Sequence, residues 1–103
     1  MALIEVNKDN FKKEVLESKK RVLVDFNASW CGPCRMLKPI VEEIANSNSN
    51  VKVVSINIDE EDELAAKYNV FSIPCLVVFE NGKEINRNVG LISKDAIESL
   101  IGE

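Results

Sequence analysis

A chain of 103 residues, 46% hydrophobic and 29% charged, can close one ordinary domain around a modest core without covalent staples. Its net charge of −4, with Lys and Arg scattered, leaves no basic stripe to attract nucleic acid or an anionic membrane. Three cysteines, an odd number, argue against a secreted disulfide scaffold, and no run approaches the roughly 18 apolar residues of a membrane-spanning helix.

The N-terminal Met1-Ala2-Leu3-Ile4-Glu5 has neither a basic region nor a long apolar segment. No signal peptide is visible there, and a cytoplasmic location is expected. Residues 3–6 read as a short edge strand. Asp9 or Asn10 can cap a following helix that carries Phe11, Val15 and Leu16 on one face. Residues 22–26 are apolar on both faces except for Asp25, as in a strand covered on both sides. A long helix through about residue 46 carries the stripe Met36, Leu37, Ile40, Val41 and Ile44. The polar stretch 46–50 reads as a loop, and 52–58 as the next strand. Asp59-Glu60-Glu61-Asp62 offers acidic caps to a short helix over 63–68. Residues 75–79 form a strand, Asn81-Gly82 is a strong hairpin signal, and 83–89 returns antiparallel. Ser93 caps a last helix with Ala96, Ile97, Leu100 and Ile101. The order β-α-β-α-β-α-β-β-α predicts an α/β fold, a mixed sheet with helices on both faces, and a single domain over 1–103.

Trp30-Cys31-Gly32-Pro33-Cys34 falls between the strand at 22–26 and the long helix. Two thiols at this spacing can form and break a disulfide without refolding the chain. At a helix start, unpaired N–H groups and the macrodipole favour an anion, here the thiolate of Cys31. The thiolate is the attacking species in thiol–disulfide exchange, so the geometry selects one sulfur. Pro33 suits the first helical turn, where its missing N–H costs nothing, and Gly32 lets a partner backbone approach.

The segment Val24-Asp25-Phe26-Asn27-Ala28-Ser29-Trp30-Cys31-Gly32-Pro33-Cys34-Arg35 resembles the active-site signature of the thioredoxin family. Pro39, Asn57-Ile58-Asp59, Tyr68-Asn69-Val70, Ser72-Ile73-Pro74, Phe79-Glu80-Asn81-Gly82 and Val89-Gly90 follow in family order, so the resemblance covers the whole chain. It implies the thioredoxin fold, with a central mixed five-stranded sheet, and a protein-disulfide reductase working in two steps. Cys31 attacks a substrate disulfide, and Cys34, buried further in, attacks Cys31 and releases the reduced substrate. Asp25, its proton affinity raised by burial, is implied as proton acceptor for Cys34. The resemblance further implies a cis Ile73–Pro74 bond beside an exposed Cys31. Ile73 and Pro74, with Trp30, Gly32, Pro33, Ile58, Val89 and Gly90, then form a flat uncharged docking surface for extended peptides. The redox-active pair Cys31–Cys34 would be the only redox group, with no cofactor or metal. A separate thioredoxin reductase would supply electrons, disulfide-containing proteins would be the substrates, and the protein would act as a monomer.

Three residues depart from that pattern. Asn27 stands where the family usually has tryptophan, so packing under the site must differ. Ser55 stands where many members have a lysine close to the aspartate, and losing that cation should raise Asp25 further. Cys75 follows Pro74 in place of threonine, either as a small buried residue or as a third thiol near the pair. Zinc would need four ligands, which this histidine-free chain does not supply. Oxidases and isomerases of this fold usually carry other residues between the cysteines. A binding subunit that uses the surface and ignores the thiols is the alternative in another class, and retention of both cysteines with Asp25 weighs against it.

Overall fold

The computed structural model describes residues 3–102, so the leader reading at Met1-Ala2 lies outside them. The strands are β1 (Ile4–Glu5), β2 (Arg21–Asn27), β3 (Val51–Asn57), β4 (Cys75–Glu80) and β5 (Lys83–Val89), in the sheet order β1-β3-β2-β4-β5. β1, β3 and β2 are parallel, while β4 pairs antiparallel with both β2 and β5. The helices are α1 (Gly32–Ser47), α2 (Asp62–Lys67) and α3 (Lys94–Leu100). The expected mixed five-stranded sheet is present, and β2 lies at its centre because it is apolar on both faces.

Side-chain alternation along the strands divides the core in two. Leu23, Val51, Val53, Leu76 and Val78 face α1 and α3, where Leu37, Val41, Ile44, Ile97 and Ile101 meet them. Val22, Val24, Phe26, Val54, Ile56, Val77 and Phe79 point the other way, onto Phe11, Val15 and Ala65. Phe11, Tyr68 and Phe79 pack there with ring centroids 5.3–6.2 Å apart. Each fully buried Leu, Ile or Phe contributes about 1.5–3 kcal/mol, which makes these two layers the main support of the site above them.

The hairpin signal is met: Asn81 and Gly82 both have positive φ, 52° and 81°, as a two-residue turn between twisted strands requires. Ser93 caps α3, its Oγ accepting from the Ala96 N–H at 3.1 Å. Other expectations are corrected. The first helix is a single π-helical stretch, Lys12–Leu16, with the Glu17 N–H reaching the Lys12 carbonyl at 2.9 Å. Its approach is fixed by a reciprocal pair rather than by a helix cap from Asp9 or Asn10: the Asn7 Oδ1 accepts from the Asp9 and Asn10 N–H groups, and the Asn10 Oδ1 accepts the Asn7 N–H at 2.7 Å. Met36 is excluded from the α1 stripe and exposed, while Cys34 and Ala45 join it. The acidic run does not cap α2 through hydrogen bonds. The Glu61 side chain accepts from the Lys8 N–H instead, and Asp59 from the Trp30 indole N–H at 2.8 Å. Among the described residues no helix is long and apolar enough to cross a membrane.

Candidate active site

β2 ends at Asn27, the chain turns through Ala28-Ser29-Trp30, and α1 begins one residue after Cys31. Cys31 is the N-cap of α1, in extended conformation, and its Sγ accepts the Cys34 N–H at 3.2 Å. Sulfur thus occupies the place a serine or aspartate oxygen usually takes at a helix start. Pro33 sits in the first turn, and no acidic side chain competes there for the helix dipole. Cys31 and Cys34 are joined as a disulfide with Cα atoms 5.2 Å apart.

The expected contrast between an exposed Cys31 and a buried Cys34 is not found. They are 5% and 4% exposed, and both pack with Ala28, Ile58 and Ile73. Long-range contacts from the two loops at Ile58 and Ile73 cover Cys31, which a local reading does not register. What separates the sulfurs is position: the Cys31 Sγ accepts the helix N–H, while Cys34 borders the same cavity as Asp25.

Asp25 occupies β2 opposite Ser55 of β3 and Leu76 of β4. It is 2% exposed, and its Oδ1 is the buried side-chain atom among the described residues that lacks a hydrogen-bond partner. Burial pushes its pKa up from 3.8 to about 7, opposed by the neighbouring Asn27 amide, helped by the Glu5 charge, and opposed by Lys38. The two departures at Asn27 and Ser55 form one unit. The Asn27 Nδ2 donates to the Ser55 Oγ at 2.8 Å and to the Asp25 backbone carbonyl at 2.9 Å. Beside them lies a cavity of about 330 Å³, bordered by Asp25, Asn27, Ser55, Cys34, Lys38 and Glu5 among others. Replacing Ser55 with lysine sets an ammonium opposite Asp25 and is expected to lower that carboxyl by about 1 pH unit or more. A carbon-13 titration of the Asp25 carboxyl reads this directly; no change would sink the account.

The Ile73–Pro74 bond is cis, and the Ile73 carbonyl oxygen lies 4.0 Å from the Cys31 Sγ. The Pro74 carbonyl accepts from the Gly90 N–H at 2.8 Å, which brings the β5 end to the same rim. Trp30, 65% exposed, Pro33 and Val89 are open to solvent. Gly32, Ile58, Ile73 and Gly90 are half-buried, and Pro74 is buried. Pro74 therefore supports the docking face from below rather than presenting its own ring. Phe71, 84% exposed and two residues before Ile73, is missed by the sequence reading, although an aromatic beside Ser72-Ile73-Pro74 is a visible signal.

Cys75 is free, fully buried and grouped with Phe26 and Val77 on the sheet face away from α1. Burial pushes its thiol pKa up. It is absent from the Ala28–Cys31–Cys34 cluster, which places it as a small core residue. Among the described residues no group of three or more His, Cys, Asp or Glu is placed to hold a metal ion.

The family model named Thioredoxin matches residues 2–103. A thioredoxin of Porphyra purpurea is 41% identical over 104 residues, spanning 100% of this chain and 97% of the relative. Thioredoxin 1 of Synechococcus elongatus is 48% identical over 92 residues, 88% of this chain and 86% of its own. The solved structure of a mutant thioredoxin from Halobacterium salinarum superposes with a TM-score of 0.90 at 38% identity, covering 97% of this chain and 88% of that one. With a disulfide-forming Cys-Gly-Pro-Cys pair at the start of α1 and these matches along its length, the chain belongs to the thioredoxin family, thiol–disulfide oxidoreductases that act by dithiol–disulfide exchange.

Proposed function

We propose that the protein is a general protein-disulfide reductase in which Cys31 is the nucleophile, Cys34 the resolving thiol and Asp25 the proton acceptor. The observation that carries the reading is Cys31 as N-cap of α1, its sulfur held by the Cys34 N–H and 4.0 Å from the Ile73 carbonyl. The Cys31 thiolate attacks one substrate sulfur, and the other substrate sulfur leaves with the electron pair of the broken bond. The Cys34 thiol then passes its proton to Asp25 and bonds to the Cys31 sulfur. The mixed disulfide breaks, and the substrate sulfur that was bonded to Cys31 leaves as thiolate. The substrate gains two electrons and the Cys31–Cys34 pair is oxidised.

The docking face suits extended peptides. Backbone at Ile73 supplies main-chain pairing, and Trp30, pinned through its indole to Asp59, supplies an apolar wall. A shallow face of this kind favours many protein substrates over one small molecule. A separate thioredoxin reductase returns the electrons, and the protein works as a monomer with no cofactor beyond its own disulfide. The free Cys75 fits a reducing compartment, the cytoplasm, where unpaired thiols persist.

The reduction potential tests this reading in one number. Equilibration with thiol buffers is expected to give about −270 mV, the value typical of thioredoxins, whereas strong oxidases of related chemistry lie near about −120 mV. A potential at the oxidising end would replace the reductase by an oxidase.

A further inference from the structure

The cavity beside Asp25 holds two groups left without partners. One is the Oδ1 of Asp25, buried and unpartnered. The other is the ammonium of Lys38, on α1 four residues after Cys34, which borders the same cavity and whose side chain makes no hydrogen bond or ion pair with another described residue. We propose that Lys38 is a positioning residue for the exchange: its ammonium closes across the cavity onto the free Oδ1 of Asp25 and holds that carboxyl in its ionised, proton-accepting form. The proposal rests on the reading of Asp25 as the proton acceptor.

The other charged groups around the cavity do not supply this contact. Arg35, the second cation of the wall, donates through Nη1 to the Ser29 carbonyl at 2.8 Å, on the rim. Glu60 and Glu5 are carboxylates. Glu5 stands opposite Ser55 in the β1–β3 register, and Ser55 stands opposite Asp25, so Glu5 disfavours a second negative charge from the far side of the same row. Cys75 lies on the other sheet face. Lysine suits the task because its long flexible stem lets the ammonium move between solvent and a newly formed anion. Asp25 is ionised with Lys38 against it. It takes the Cys34 proton as Cys34 bonds to the Cys31 sulfur and the substrate thiolate departs. The neutral carboxyl releases Lys38, and the proton leaves through the cavity, which is roomy and polar enough for water.

The test follows the Asp25 carboxyl by carbon-13 titration in the parent, K38M, K38R and E5Q proteins. Alongside it, the pH profile of Cys34 resolution is measured from a preformed mixed disulfide with a peptide. The Asp25 midpoint and the resolution profile are expected to move up together by about 0.5–1 pH unit in K38M. Both should move down in E5Q and stay at the parent values in K38R. An unmoved Asp25 midpoint in K38M, with a resolution profile that still follows Asp25, overturns Lys38 and leaves the Asp25 role intact. A midpoint that moves while the resolution profile stays put overturns Lys38 as a positioning residue and the Asp25 role with it.

Discussion

Cys31→Ser is expected to lower reduction of protein disulfides by a factor on the order of 10³ or more, whereas Cys34→Ser is expected to trap a one-to-one covalent adduct through Cys31. The two cysteines are equally buried as residues, at 5% and 4% exposure, so residue burial in the oxidised protein does not decide between them. Electrostatics does. The Cys31 sulfur already accepts a backbone N–H at the start of a 16-residue helix with no acid in its first turn, an arrangement that favours a thiolate. Cys34 is inside that turn, beside a carboxyl whose own negative charge opposes a second anion. A hydroxyl at position 31 cannot attack sulfur usefully at neutral pH, so the first step is lost. A hydroxyl at position 34 leaves that step intact and removes only the release. Mass spectrometry of each variant after exposure to a disulfide peptide distinguishes them. An adduct on Cys34 in the Cys31→Ser protein would reverse the assignment.

This asymmetry is legible in the sequence because it depends on local order: a strand, two thiols spaced by Gly-Pro, then a helix. Asp25 is legible for a similar reason, as one charge in an otherwise apolar strand. The features that the sequence does not reveal depend on what distant segments bring near. Burial of Cys31 comes from Ile58 and Ile73, which sequence spacing does not place on top of it. Asn7 and Asn10 together, not Asp9, organise the start of the first helix, since three asparagine and aspartate side chains compete for the same few N–H groups and propensity does not rank them. The row Glu5–Ser55–Asp25 appears only with strand register, and a register cannot be read from β1, two residues long. Lys38 carries a weak local signal: it follows Cys34 by four residues and so shares its helix face. Its meaning comes only with the cavity that Asn27 and Ser55 border.

Asp25→Asn is expected to make the protein more stable at alkaline pH, by as much as about 4 kcal/mol, while leaving stability below pH 4 nearly unchanged. In the folded chain the Asp25 carboxyl titrates at about 7, against 3.8 when free of its surroundings, with burial as the main cause. The native state therefore holds a proton that the unfolded state has already lost throughout the interval between those values. Stability from the neutral carboxyl is complete below about pH 4, falls as pH rises, and is gone above about pH 7. A difference of roughly 3 pH units at about 1.4 kcal/mol each sets the ceiling of about 4 kcal/mol. Asparagine keeps the shape and removes the ionisation, so the variant escapes this loss. Its amide gains no partner that the carboxyl lacked, which places the expected gain at about 2–4 kcal/mol. Urea unfolding of both proteins from pH 4 to 9 reads the difference directly, and titrations shared by the two, such as Glu84 with Arg87, cancel. Curves that run parallel across that range would show that Asp25 ionises in the fold as it does in water. The same substitution should slow resolution by Cys34, because a buried amide cannot take its proton. Stability and turnover would then move in opposite directions from one atom's change, as expected of a buried carboxyl retained for its chemistry rather than for the fold.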